Sequence, residues 1–238
     1  MLSKEKIKQI RKLHDKKWRI ESWFFLVEGR KMILELLASD WKDEIEELYV
    51  SEKLLEEIQS WIIADAETLS KISTLENNSD GVAVVKQKNF VQYPKKQNWI
   101  LVLDDIRDPG NMGTILRTAA WFGIQDVICS EGCVELYNPK VVSATMGALF
   151  HLQISYQNLK DFYAKNTLPV YGAELGGTDI GEIAFPRSGV LVMGSESHGI
   201  SEMSRKNMTQ GILIPKIGYG ESLNVGIATG ILLSHIVK

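Results

Sequence analysis

Apolar and polar positions along the chain fall into short runs of two periods, and the two kinds alternate. Runs with strand period and composition lie at 23–27, 48–50 and 81–86, separated by stretches with helical spacing at 31–37 and 53–59. A basic amphipathic stretch over 1–13 precedes them and reads as a surface helix. From 99 onward, apolar β-prone runs recur at 100–103, 126–129, 151–154, 170–173, 190–193 and 212–214. Strand alternating with helix predicts layered α/β structure. Residues 91–98, with Pro94 among polar neighbours, make the best linker. The expected organisation is a basic helix at 1–13, a small α/β domain over 14–90 and a larger one over 99–238.

Three apolar runs of the larger domain end in polar turns. The first, 99–103, gives way to Asp104-Asp105-Ile106-Arg107-Asp108-Pro109-Gly110-Asn111. Asn111 is expected to cap a helix running to about Phe122, which Gly123 ends. Ile115, Leu116, Ala119 and Phe122 take core-facing spacing, and Arg117 falls on a different face. Neither Gly113 nor Trp121, four residues away, can pair with an arginine. Arg117 is therefore expected to point toward the strand ends, where ligands of open α/β sheets collect. The second turn, Gly194-Ser195-Glu196-Ser197-His198-Gly199, carries a carboxylate between two glycines. The third follows Ile214-Pro215 and ends in Ser222-Leu223-Asn224, ahead of a helix rich in Gly and Ala. Ser222 is the expected cap there, leaving other first-turn N–H groups for a small ligand. One such turn is ordinary punctuation, whereas three converging at strand ends build a site.

Composition adds limits. With 238 residues and 45% apolar content, the chain suits one large or two modest domains with real cores. No apolar run reaches the roughly 18 residues of a membrane span, and no signal-peptide pattern is present, so a soluble, cytoplasmic protein is expected. Cys129 and Cys133 are too few for a disulfide framework and lack a second pair for zinc; they read as core filler in a reducing compartment. His14, His151 and His235 have no metal-ligand spacing, so no metal is expected. The lack of a G-x-G-x-x-G or a P-loop lysine argues against dinucleotide and nucleoside-triphosphate enzymes.

In this order and spacing, the three turns resemble the SpoU/TrmH family of RNA ribose 2′-O-methyltransferases, in the SPOUT superfamily. Residues 111–119 match N-x-G-x-x-x-R-T-A, residues 194–199 resemble G-[NS]-E-G-x-G with Ser197 in place of Gly, and residues 214–225 match I-P-x(n)-S-L-N-V. The likeness covers about 97–238, and a less specific one at 23–37 points to a small L7Ae/L30e-like substrate-binding domain. The resemblance implies a mostly parallel sheet with a deep trefoil knot, S-adenosylmethionine as cofactor against Met193, Gly194, Ile214 and Leu223, and a homodimer. It also implies a catalytic centre of Arg117 with Asn111, Glu196, Ser222 and Asn224, acting on ribosomal RNA rather than tRNA. A guanidinium scarcely deprotonates in proteins, so stabilising an alkoxide and gripping a phosphate is physically easier for Arg117 than taking a proton. His198, at a variable motif position, reads as a loop residue. The rival reading is a catalytically silent RNA-binding protein on the same scaffold. The small face of Gly226, Ala228 and Gly230 would let another element approach closely, in a partner or in the same subunit.

The net charge of −3 conceals a split. Residues 1–31 carry ten Lys or Arg against four Asp or Glu, and residues 32–80 carry three against thirteen. Phosphates bind basic surface, so RNA is expected at Lys12, Lys16, Lys17, Arg19 and Arg30 and not at the acidic helices around Glu44 to Glu57. Trp18 and Trp23 interleave with those charges, which suits stacking on an unpaired base. Trp23-Phe24-Phe25 reads more simply as the start of a core strand.

Overall fold

The computed structural model describes residues 2–58, 62–90 and 98–237. The expected linker at 91–98 thus lies, apart from Asn98, outside the described residues, as does the end of the helix expected over 53–59.

The first half runs α1 (Lys4–Lys12), α2 (Lys16–Ser22), β1 (Phe24–Glu28), α3 (Arg30–Leu37), β2 (Ile45–Val50), α4 (Glu52–Ile58), β3 (Ile62–Ile63), α5 (Ala66–Ile72) and β4 (Gly81–Lys86). Its sheet has the order β1-β4-β2-β3. β4 pairs antiparallel with both neighbours and is buried from Gly81 to Val85, so it reads as an unbroken apolar run. Sequence spacing does not pick out α2, because its one buried residue is an arginine. Trp23 does not begin the core strand: it caps α2 in the left-handed region, half exposed, and β1 starts one residue later.

The second half runs β5 (Ile100–Asp104), α6 (Pro109–Trp121), β6 (Asp126–Cys129), α7 (Pro139–Thr145), β7 (Gln153–Tyr156), α8 (Leu159–Lys165), β8 (Val170–Asp179), β9 (Val190–Gly194), α9 (Glu202–Asn207), β10 (Gln210–Leu213) and α10 (Val225–Ile236). The sheet order is β10-β8-β9-β5-β6-β7, and every pairing is parallel. β5, at its centre, is buried throughout, as a strand covered on both faces must be. The chain moves outward from β5 through β6 to β7, then resumes on the other side with β8 and β9. The order therefore reverses between β5 and β9.

Both expected helix caps are displaced. Asp108 caps α6, its Oδ1 accepting the Asn111 N–H at 2.7 Å, with Pro109 at the first helical position. Asn224, not Ser222, caps α10, its Oδ1 accepting from the N–H groups of Gly226 (2.9 Å) and Ile227 (3.3 Å). In each case several polar residues precede the helix, and only the backbone path decides which one caps it.

The chain divides into two compact units: the described residues of Met1–Lys88 with Glu135–Phe150, and those of Asn89–Val134 with His151–Lys238. Glu135–Phe150, downstream of β6, thus packs with the first unit. The Tyr137 ring lies 4.5 Å from that of Phe25, and the Phe150 ring 5.8 Å from that of Trp41. Gly226 uses its small size within the second unit, whereas a Cβ at Gly230 would make ordinary contact with Thr118 at 3.7 Å. A Cβ at Gly226 would stand 2.9 Å from Thr114 Cγ2 on α6, tighter than real Cβ contacts allow.

Candidate active site

At the switch point, Asp104 at the end of β5 is in register with Gly194 at the end of β9. The turn after β9 closes on itself: the Ser195 N–H donates to the Gly199 carbonyl (3.1 Å) and the Gly199 N–H to the Ser195 carbonyl (2.8 Å). Only glycine fits at 194, since a Cβ would lie 2.2 Å from the Gly199 carbonyl carbon, and Gly199 itself has φ +65°. This tight turn lifts Glu196 into solvent.

Glu196 accepts a hydrogen bond from the Asn111 side-chain amide, 85 residues away in sequence. Asn111 Oδ1 in turn accepts from Asn224 Nδ2 at 2.8 Å, across 113 residues. Each polar turn thus contributes one member to a continuous relay. Its two ends determine the amide orientations: an ionised carboxylate only accepts and the α10 N–H groups only donate, so each asparagine turns its NH2 toward Glu196 and its oxygen toward α10.

Met193, Gly194, Ile214 and Leu223 all line one cavity of about 910 Å³, together with Glu196, His198 and Ser222. Its far wall includes Glu174 on β8 and Arg205 on α9, an ion pair at 3.0 Å that sequence spacing does not reveal. Behind the turn, the buried Asp104 carboxylate accepts from the Ser201 N–H (2.9 Å) and the Ser204 hydroxyl (2.6 Å). The Tyr163 hydroxyl donates to Ser204 at 3.0 Å; burial pushes its pKa up to about 12, so it stays a neutral donor. Asp104 had a sequence signal, an acidic residue closing a wholly apolar strand. Among the described residues, no cluster of three or more His, Cys, Asp or Glu could hold a metal ion.

The model of the SpoU rRNA Methylase family matches residues 98–234, and that of the MRM3-like substrate binding domain matches residues 4–83. The chain belongs to the SpoU rRNA methylase family. It is 28% identical over 242 residues to the Bacillus subtilis 23S rRNA (guanosine(2553)-2′-O)-methyltransferase RlmP, covering 98% of this chain and 96% of that protein. A TrmH-family structure from Porphyromonas gingivalis superposes with a TM-score of 0.89 at 35% identity, over 99% of this chain and 98% of that one. An AdoMet-bound rRNA methyltransferase from Sinorhizobium meliloti gives a TM-score of 0.87 at 28% identity, over 99% and 95%.

Other SpoU motif residues stand apart from the relay. α6 buries Met112, Ile115, Leu116 and Ala119, which leaves Arg117 on its exposed face. It makes no hydrogen bond or ion pair with any described residue, and the cavity lining does not include it. Ser197, where the SpoU motif has Gly, pairs its hydroxyl with His198 Nδ1 at 2.8 Å in the exposed turn.

Of the basic residues expected to meet RNA, Lys16, Lys17 and Arg30 are exposed and Lys12 is partly so. Arg19 is not available. It is 2% exposed, forks onto Glu135 at 2.9 and 2.7 Å, and donates to the carbonyls of Leu13 and His14, both at 2.8 Å. A guanidinium with this many internal acceptors is a structural brace for α2.

Proposed function

We propose that this chain transfers a methyl group from S-adenosylmethionine to a ribose 2′-hydroxyl of ribosomal RNA. Membership of the SpoU family makes it an RNA methylase, and the near full-length likeness to RlmP favours the ribosomal substrate. The observation that carries the reading is the Glu196–Asn111–Asn224 relay, which joins all three motif turns and ends on a side chain lining the cavity.

The cavity fits the cofactor by size and chemistry. It lies within the several hundred Å³ typical of small-molecule sites, and its apolar Met193, Ile214 and Leu223 suit an adenine. Glu174 and Arg205 suit the opposite charges of a methionyl group. Bound there, S-adenosylmethionine supplies an electrophilic methyl on its sulfonium. Glu196, held by Asn111, orients the ribose, and Ser222 offers a hydroxyl beside it. Placement of this kind supplies much of a transfer rate. Arg117 stabilises the developing alkoxide as the 2′-hydroxyl proton passes to water, and grips the adjacent phosphate, because a guanidinium scarcely gives up its proton.

The exposed position of Arg117 ties this role to a homodimer. α6 and α10 pack on each other, and each leaves large apolar residues exposed: Trp121 (85%) on α6, Ile227 and Ile231 on α10. A second copy over this face would cover these residues and Arg117 with them. The trefoil knot and a cytoplasmic location belong to the same reading. Both turns that a knot would bring together line one cavity, and both cysteines are free. Among the described residues, no helix is long and apolar enough to cross a membrane.

Two measurements test the reading. Titration calorimetry is expected to detect S-adenosylmethionine binding, and mapping of 2′-O-methyl groups in cells with and without the gene is expected to reveal a lost ribosomal RNA site. Absence of binding, with or without RNA, would favour the catalytically silent protein.

A further inference from the structure

α2 is a helix with its one charged anchor inside and its aromatic residues outside. Arg19 is its single buried side chain, whereas Trp18 (37%), Ile20 (55%) and Trp23 (50%) are exposed. Large aromatic groups normally lie inside and a guanidinium outside, so this short helix is inverted with respect to burial.

The turn that follows is built to hold Trp23 in place. Its backbone is left-handed (φ 62°, ψ 26°), a conformation for which helix ends select glycine and which is a genuine outlier for a bulky residue. Several bonds brace it. The Trp23 N–H donates to the Arg19 carbonyl at 3.0 Å, and the Trp23 carbonyl accepts from the Gln87 N–H at 2.8 Å. The Gln87 side-chain amide donates to the carbonyls of Arg19 (2.9 Å) and Phe24 (3.1 Å). Packing does not explain an indole here, since half of it faces water. Backbone strain kept at an exposed aromatic is the kind of outlier that points to function.

Lysines crowd Trp18, although Glu21 on the same helix is also exposed and pairs with Lys17 at 3.9 Å, and Asp15 caps the helix. Lys12 Nζ sits 4.1 Å from the Trp18 ring centre and Lys17 Nζ at 6.0 Å, while Lys16 on the same helix is exposed. Aromatic faces among lysines are how proteins grip single-stranded nucleic acid, the rings stacking on bases and the ammonium groups neutralising phosphates. A duplex offers no free base face to such a surface.

We infer that Trp18 and Trp23 form a stacking platform for unpaired bases of an RNA whose phosphates meet Lys12, Lys16 and Lys17. The inference rests on the reading of this basic surface as an RNA contact and adds what part of the RNA it takes. It also gives Arg19 a positioning role, since the buried pair with Glu135 holds the helix that presents both indoles.

The test uses the full chain and two labelled probes about 12 nucleotides long, within the span of one such site: an oligoadenylate and a ribose-phosphate strand of equal length without bases. Binding is followed by fluorescence anisotropy. The parent is expected to prefer oligoadenylate. Trp23→Gly, which relieves the left-handed strain, is expected to keep its melting temperature but to weaken oligoadenylate binding about fivefold or more. Binding of the baseless strand should be unchanged, and Trp18→Leu should behave alike. Lys16→Ala with Lys17→Ala should weaken both probes equally. Should Trp23→Gly unfold, Trp23→Asn, which also tolerates this backbone, repeats the measurement. A parent that binds both probes equally, or Trp variants that bind oligoadenylate like the parent, would overturn the platform and leave the phosphate contact standing. A parent that binds neither probe would remove both.

Discussion

Asn224 illustrates how much one side chain carries at this site. Its oxygen caps α10 and its amide holds Asn111, so a substitution that keeps one bond and removes the other separates stability from activity. Asn224→Asp retains an acceptor for the helix N–H groups but loses the donor to Asn111. It is expected to unfold near the parent's denaturant midpoint and to lose most methyl transfer. Asn224→Ala loses both bonds and should also be destabilised by about 1 kcal/mol, the usual worth of an N-cap. Equal activity in Asn224→Asp and parent would break the proposed link between relay and chemistry. At this scale, residue types were legible and partners were not. Asn111, Glu196 and Asn224 stood out by motif, yet sequence spacing assigned the caps to Asn111 and Ser222 instead of Asp108 and Asn224. From sequence Arg19 looks like one more surface cation, because nothing local announces an acceptor 116 residues away.

Among the elements, the strands of the parallel sheet were legible because they are buried on both faces and so read as unbroken apolar runs. Short elements such as α2 and the two-residue β3 offer no such pattern. The connection between elements that governs the site is equally silent. Asp104 at the end of β5 holds the start of α9 through Ser201 and Ser204, and thereby closes the exit of the Glu196 turn. Asp104→Ala is expected to cost about 3 kcal/mol, since it leaves buried donors without a charged acceptor. It should also weaken S-adenosylmethionine binding, while Asp104→Asn recovers most of both. Unchanged cofactor affinity in a folded Asp104→Ala protein would show that the turn holds its shape without this anchor.

At the scale of the whole molecule, the exposed face of α6 and α10 predicts association. Sedimentation at micromolar concentration is expected to find a dimer, and Trp121→Glu, which puts a charge in place of the most exposed apolar side chain of α6, should shift it to monomer with loss of methyl transfer. A parent that sediments as a stable monomer removes the dimer from the reading. The alternation of strand and helix and the three motif turns, and with them the family, are legible in the chain alone, because burial periodicity and turn chemistry are local properties. Tertiary structure alone decided that Glu135–Phe150 packs with the first unit, that Arg19 lies inside and Trp23 outside, and that Glu196, Asn111 and Asn224 touch. Those outcomes depend on hydrogen bonds and packing between residues far apart in the chain, where no local preference records the partner.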